Sequence, residues 1–285
     1  VREAVRDGVN AGLRVIIPAA DVQLGNWRGT GYIVEDPQTG AGAYQISGGL
    51  SGGTLKAIQP GLVGGALPPE QPLWPSAVLA VGTPLTLSWR SVIDAMLINV
   101  WGVYEGIGIP LHRAGFNVYV NDVLAETIVG FVNGSGAQTP NDVFFYVGHG
   151  FNGNLTLSTR DSSFRFVGPS QLSGRRFKIA LLSACATGGD CPDNLLDIVF
   201  GNCTPNVGYQ EAWEAALLGP FAGPTRSGQA LVGSAQAIRA FQAGLGNRLF
   251  FNALTIGASV GTAESFIQAS YLRGDPATRL QGFGR

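Results

Sequence analysis

The stretches VFFYVGHG (residues 143–150) and FKIALLSAC (residues 177–185) decide the fold class of this chain. Each is a short, uninterrupted apolar run, which is the pattern of a strand buried on both faces of a parallel sheet. The first run leads to His149, which stands between two glycines, and the second leads to Cys185. Because ligands meet parallel sheets at the carboxyl ends of the strands, we expect both side chains to emerge at one functional edge.

The rest of residues 91–285 alternates between short apolar runs and stretches with helical spacing. This alternation predicts an α/β fold, in which a mostly parallel central sheet is flanked by helices on both faces. The predicted strands are Phe116–Val120, Val143–Val147, Phe177–Leu182 and Gln229–Ser234, with a hairpin of Leu155–Leu157 and Phe164–Val167. The predicted helices are Ser91–Val100, Val123–Val132, Glu211–Leu218, Arg239–Ile256 and Val260–Leu272.

The amino-terminal part of the chain has a different pattern. Residues 1–66 predict a small Gly-rich, β-rich module, because GYIVED and GAYQIS resemble two strands joined by the turn sequence DPQTG. Residues 67–90 are dense in proline and glycine, which favours a linker or an exposed lead-in. The α/β domain is predicted to occupy residues 91–285.

Composition excludes several classes of function. The formal net charge is −1 and only 13% of residues are charged, so there is no field that would attract nucleic acid or an anionic membrane. No window reaches the roughly 18 uninterrupted apolar residues of a membrane span. The chain begins at Val1 without a targeting signal, so we expect a piece of a longer protein and leave its compartment open.

The cysteines are few and close together. Three stand at positions 185, 191 and 203, which is too few for a disulfide-dense scaffold. No two form a Cys-x-x-Cys pair and neither histidine lies near them in sequence, so no metal is expected. If Cys191 and Cys203 pair across their loop, Cys185 remains as a free thiol.

His149 and Cys185 together have the chemistry of a nucleophile and its base. An imidazole near a thiol can take its proton, which makes the sulfur a strong nucleophile for acyl transfer. Glycine beside the histidine lets a substrate carbonyl approach the backbone closely. The backbone N–H groups of Gly150 and Cys185 are then candidate donors to the oxyanion of a tetrahedral intermediate.

At these residues the sequence resembles the caspase-like (clan CD) superfamily of cysteine peptidases, and most of all the CHAT domains of bacteria. YVGHG and LLSACATG resemble the histidine and cysteine blocks. GQALVGSAQAI (228–238) resembles the strand that follows, and LFFNALTIGASVGTA (249–263) with GDP (274–276) resembles the closing unit. The amino-terminal block resembles Gly-rich segments of large bacterial multidomain proteins.

The resemblance implies a cysteine endopeptidase that needs no metal or other cofactor. His149 would be the general base and Cys185 the nucleophile that forms a thioester with a protein or peptide substrate. Such enzymes are often latent, so an activating protein partner or neighbouring domain is also expected. Asp190 and Asp193, with Asp197, could favour a basic substrate side chain, although carboxylates on a loop are more often solvated.

Two alternatives stay open at this stage. The first keeps the fold without hydrolysis and makes the chain a scaffolding or interaction module of a large bacterial protein. The second makes it a fragment of a toxin or effector that uses the same pair of residues. Asn152 and Asn154, close to the histidine, either orient the substrate or form a turn.

Overall fold

The computed structural model describes residues 14–16, 22–24, 27–35, 42–47, 54–58, 75–82, 98, 100–135, 139–161, 163–192, 203–220, 227–238 and 240–280. The strands are β1 (Arg14–Ile16), β2 (Val22–Leu24), β3 (Trp27–Glu35), β4 (Gly42–Ser47), β5 (Thr54–Ile58), β6 (Ser76–Gly82), β7 (Asn117–Val123), β8 (Val143–Val147), β9 (His149–Phe151), β10 (Asn154–Ser158), β11 (Phe164–Val167), β12 (Ile179–Ser183), β13 (Gly189–Asp190), β14 (Thr204–Pro205), β15 (Ala230–Ser234) and β16 (Ser270–Gly274). The helices are α1 (Val100–Val103), which continues through a π-helical segment (Tyr104–Gly108) into α2 (Ile109–Arg113), then α3 (Ile128–Gly134), α4 (Val207–Leu218), α5 (Ala240–Thr255) and α6 (Val260–Ala263).

Five parallel strands form the centre of the main sheet, in the order β7-β6-β8-β12-β15, and β16 closes one edge antiparallel to β15. Every residue of β6, β8, β12 and β15 is buried, as expected of apolar runs covered on both faces. The predicted α/β class with a mostly parallel sheet is therefore confirmed, and so are the strands predicted from the apolar runs.

The amino-terminal strands are antiparallel and continue this sheet. β3 pairs with β4, which confirms the two strands predicted from GYIVED and GAYQIS, and their connection lies outside the described residues. β4 pairs with β5, and β5 pairs antiparallel with β7, the outermost strand of the parallel group. The division at residue 66 stays a prediction.

β6 lies inside the segment 67–90, where a linker or exposed lead-in is predicted. The structure makes these seven residues a fully buried strand between β7 and β8. Pro75 precedes the strand and Gly82 ends it, and these neighbours give the segment its loop-like composition. For residues Ser76–Gly82 the linker prediction is wrong, because seven consecutive apolar or small residues suffice for a central strand.

Helices cover both faces of the sheet. Two phenylalanines of α5, Phe250 and Phe251, pack into the core on one face, together with residues of α1 and α2. On the other face Trp213 and Leu217 of α4 pack with residues of α3 and with the inner side of β10. No helix within the described ranges is long and apolar enough to cross a membrane.

The second closing helix predicted at Val260–Leu272 is wrong. α6 stops at Ala263, a 3₁₀ turn follows at Glu264–Phe266, and the chain then forms β16. Tyr271 of this strand is buried, and its ring occupies the space that a side chain at Gly233 would need. Pairing with β15 and burial of this ring therefore outweigh the local helical spacing.

Candidate active site

The ends of β8 and β12 bring His149 and Cys185 to one edge of the sheet. The two strands are parallel neighbours in which Val147 is the register partner of Ser183. Each reactive residue follows its strand by two positions, so both lie beyond the carboxyl ends at the same level. The backbone N–H of Gly148 donates to the carbonyl of Ser183 at 3.3 Å, which extends the pairing towards the site.

The loop that carries Cys185 turns sharply and is fastened to the end of β15. Ala186 has a φ of +47°, a left-handed conformation that costs energy for any residue with a Cβ. Its N–H donates to Gln236 at 3.1 Å, and the Thr187 hydroxyl donates to the carbonyl of Ser234 at 3.2 Å. The surrounding backbone therefore holds the nucleophile candidate on a strained turn.

The thiol of Cys185 contacts the backbone of Ile238. The Ile238 N–H donates to Sγ at 3.4 Å, and Sγ lies 3.7 Å from the Ile238 carbonyl oxygen, to which the thiol donates. Burial raises the pKa of the Cys185 thiol, and the N–H groups of Ile238 and of Cys185 itself lower it by a smaller amount. Burial therefore favours the protonated form of the thiol over the thiolate.

His149 lies at the solvent boundary, where the neutral form of its imidazole is favoured. His149 as a whole residue is exposed to solvent, but its imidazole ring is partly buried. This burial lowers the pKa of the imidazole. The hydroxyl of the buried Tyr146 donates to the His149 carbonyl at 3.2 Å, and a side chain at Gly148 would collide with that hydroxyl. Tyr146 and Gly148 thus fix the backbone of the histidine, a role that the sequence alone did not assign.

Asn152 and Gly153 form the turn between β9 and β10. Both have positive φ, +43° and +73°, as the two central residues of a type I′ hairpin turn require. Gly153 N–H donates to Ala186 at 3.0 Å, and the Trp213 indole donates to the Gly153 carbonyl at 2.9 Å. Asn152 is therefore a turn former, one of the two alternatives that the sequence left open. Strand β9 was not predicted, although the Asn-Gly pair at 152–153 is a sequence signal for a hairpin turn.

A disulfide between Cys191 and Cys203 closes the loop after the nucleophile candidate. The Asn152 side chain accepts from the Cys191 N–H at 2.7 Å and donates to the Cys191 carbonyl at 3.2 Å. Asp190, one residue before the disulfide, is exposed on β13, whereas Asp193 lies outside the described residues. Within the described part of the chain, no group of three or more His, Cys, Asp or Glu is arranged to hold a metal ion.

The Cys185 loop passes the free edge of β9. A Cβ added at Gly150 would lie 2.5 Å from the Cys185 carbonyl oxygen and 3.0 Å from the Ala184 Cβ. Ala186 instead packs beside Phe151, whose side chain lies on the opposite face of β9 from that Cβ. The chain therefore crosses from one face of β9 to the other beside Gly150, the residue that follows His149.

Replacing Gly150 with alanine is expected to displace this loop. The added methyl group meets a backbone oxygen, which cannot move without shifting Cys185. We expect a loss of about 1–3 kcal/mol in the free energy of unfolding and a changed alkylation rate of Cys185. Gly130→Ala in α3 is the matched control, because nothing lies within 4 Å of its added methyl group. Equal unfolding midpoints and equal alkylation rates for the two variants would contradict this packing.

The raised pKa of Cys185 predicts how its alkylation depends on pH. Only the thiolate reacts with iodoacetamide, and the thiolate fraction falls when the pKa rises. At neutral pH we expect Cys185 to react more slowly than a small free thiol, and to reach half its maximal rate above the ordinary thiol range. The measurement is peptide mass spectrometry after timed alkylation between pH 5 and 10. A half-maximal rate at mildly acidic pH would show a preformed thiolate instead.

Comparisons with known proteins show similarity of fold to solved structures. No family model matches the chain, and a search of curated proteins found no match. The structure is similar to the crystal structure of the Arg specific cysteine proteinase gingipain R, with a TM-score of 0.41 and 14% sequence identity. The matched region covers 73% of this chain and 48% of that one, so the chain spans about half the length of gingipain R. The likeness to bacterial CHAT domains stays a prediction.

Proposed function

We propose that this protein is a cysteine endopeptidase in which Cys185 is the nucleophile and His149 the general base. The observation that carries this proposal is the register of β8 and β12. It puts a free thiol and a neutral imidazole two residues beyond adjacent parallel strands. Ligands of such sheets bind at this edge.

The reaction needs these two side chains and a water molecule. As the sulfur attacks the scissile carbonyl carbon, the thiol proton passes to the imidazole of His149. The tetrahedral intermediate collapses when its C–N bond breaks, and the imidazolium gives its proton to the leaving amine. Water then attacks the thioester with His149 as base, which releases the acid and restores the thiol.

The pKa shifts of the two groups favour a general-base mechanism over a standing ion pair. Burial favours the neutral form of each, so the proton moves only when a substrate carbonyl is present. Before it attacks, the thiol must also break its hydrogen bond to the Ile238 carbonyl and donate to the imidazole of His149 instead. Catalytic hydrogen bonds are often long before the substrate binds.

Backbone amides complete the proposed machinery. The N–H groups of Gly150 and Cys185 are the proposed donors to the oxyanion, since the two residues lie against each other at the crossing of β9. Asp190, and Asp193 beyond the described residues, are proposed to contact a basic substrate side chain. The exposed position of Asp190 beside the disulfide leaves it accessible to a substrate.

One observation favours the alternative of a catalytically silent scaffolding or interaction module. The hydrogen-bond partners of the Cys185 thiol, within the described residues, are both groups of the Ile238 backbone. A thiol held in this way in all states would be a buried structural cysteine.

Cleavage of a peptide mixture separates the two functions. Proteome-derived peptides with blocked amino termini are incubated with the wild type and with Cys185→Ala, and new amino termini are read by mass spectrometry. The peptidase function predicts new termini that need Cys185. The same termini with both proteins, or none with either, would favour the silent module.

A further inference from the structure

The sheet formed by β9, β10 and β11 has one buried face and one open face. Leu155, Leu157 and Val167 point into the core. Since neighbouring residues of a strand point to opposite faces, the alternate positions form the open face. These are His149 and Phe151 on β9, Asn154, Thr156 and Ser158 on β10, and Phe164 and Phe166 on β11.

The pairing register puts two exposed aromatic rings on the same face as the histidine. Thr156 is the partner of His149 on one side and of Phe166 on the other, so these three side chains form one row across the sheet. Phe164, the partner of Ser158, lies in the next row. Phe164 is 47% exposed and Phe166 56% exposed, unusual values for phenylalanine.

One end of this open face is bordered by another part of the chain. Phe151 packs against the cluster of Ala186 and the Cys191–Cys203 disulfide, so these residues border the face at that end. The rings of Phe151 and Phe166 have centroids 6.4 Å apart, which makes the aromatic surface continuous. Between His149 and Phe166, the Thr156 hydroxyl oxygen is buried and has no hydrogen-bond partner among the described residues.

We propose that this open face binds the substrate peptide and selects apolar side chains near the cleaved bond. This inference rests on the proposed peptidase function and adds a substrate class to it. The row from His149 to Phe166 spans two strand spacings, about 10 Å, or about three residues of an extended peptide. The Phe164 and Phe166 rings bind an apolar side chain about three positions from the scissile bond.

The test extends the cleavage map to variants of this face. The wild type, Phe166→Ser and Arg165→Ser are incubated with the peptide mixture, and residues are counted at each position beside the new termini. Arg165 is the matched control, because it is exposed on the same strand and alternates with the two phenylalanines. For one chosen substrate, kcat/KM is compared between peptides with Phe or Ser at the selected position.

The inference expects a preference for Phe over Ser of about 10-fold or more in the wild type, as apolar subsites commonly give. This preference falls to about twofold in Phe166→Ser and persists in Arg165→Ser. Cleavage without an apolar preference, or with a preference that survives in Phe166→Ser, overturns the inference and leaves the peptidase function standing. An absence of cleavage in the wild type overturns both. A dimer that Phe166→Ser converts to a monomer, with unchanged cleavage sites, makes the face an interface between copies instead.

Discussion

Replacing His149 with alanine is expected to lower kcat/KM for peptide hydrolysis by about 10²- to 10⁴-fold, the usual contribution of a general base. The physical reason is the raised pKa of Cys185, because a buried protonated thiol needs a nearby acceptor for its proton. The loss should shrink as the pH rises through the pKa of the thiol, since hydroxide then removes the proton without the imidazole. The measurement is a pH profile of kcat/KM for the wild type and the variant.

The control for this variant is the alkylation of Cys185 by iodoacetamide at high pH, where the thiolate forms without help. That rate should be nearly equal in the two proteins, which would show that the Cys185 loop is intact. A His149→Ala variant that keeps its hydrolysis rate within about threefold at pH 7 would exclude His149 as the base.

Replacing Arg175 with methionine is expected to lower the free energy of unfolding by about 3–5 kcal/mol. The Arg175 guanidinium forms an ion pair with Asp142 in which both side chains are 1% exposed. Arg175 also donates to the carbonyls of Val132 and Ser135, at 3.0 and 2.6 Å. Removing it leaves the Asp142 carboxylate buried without its charge partner. Urea unfolding of the wild type and Arg175→Met measures the loss.

Asp142 explains why the effect should be large. It accepts from the Ser76 N–H at the start of β6 at 2.8 Å, and from the Thr139 hydroxyl at 2.6 Å, so it joins three segments at the amino ends of the strands. The double variant Asp142→Asn, Arg175→Met should recover part of the stability. Arg165→Met is the matched control, since Arg165 is exposed on β11 and its replacement should cost about 0.5 kcal/mol or less. Equal losses for the two single arginine variants would contradict this account.

The sequence predicted those parts of the fold that a local pattern of apolar residues determines. Uninterrupted apolar runs such as Val143–Val147 are buried strands, and the parallel arrangement followed from their alternation with helices. β6 was missed because Pro75 and Gly82 lie at its two ends. The high proline and glycine content of the segment was given more weight than its run of seven apolar or small residues. β16 was taken for a helix because its place is set by pairing with β15, which local spacing does not record.

The candidate site was predictable in its reactive residues and not in their surroundings. His149 and Cys185 follow apolar runs, so their shared edge could be deduced. The contact between the thiol and Ile238 joins residues 53 positions apart, and it depends on how the chain leaves β15. Burial raises the pKa of the Cys185 thiol and the Ile238 N–H lowers it, and no sequence motif encodes either effect. The open aromatic face likewise needed the register of β10 and β11.

The central claim is that Cys185 carries the acyl group during hydrolysis. The most direct test is to mix the protein with a cleaved peptide, quench in acid within the first turnover, and measure the mass of the segment containing residue 185. The account predicts a thioester on Cys185 that hydroxylamine removes, that decays as product forms, and that is absent from Cys185→Ala. Cleavage with no adduct on Cys185, or with the adduct on another residue, would contradict it.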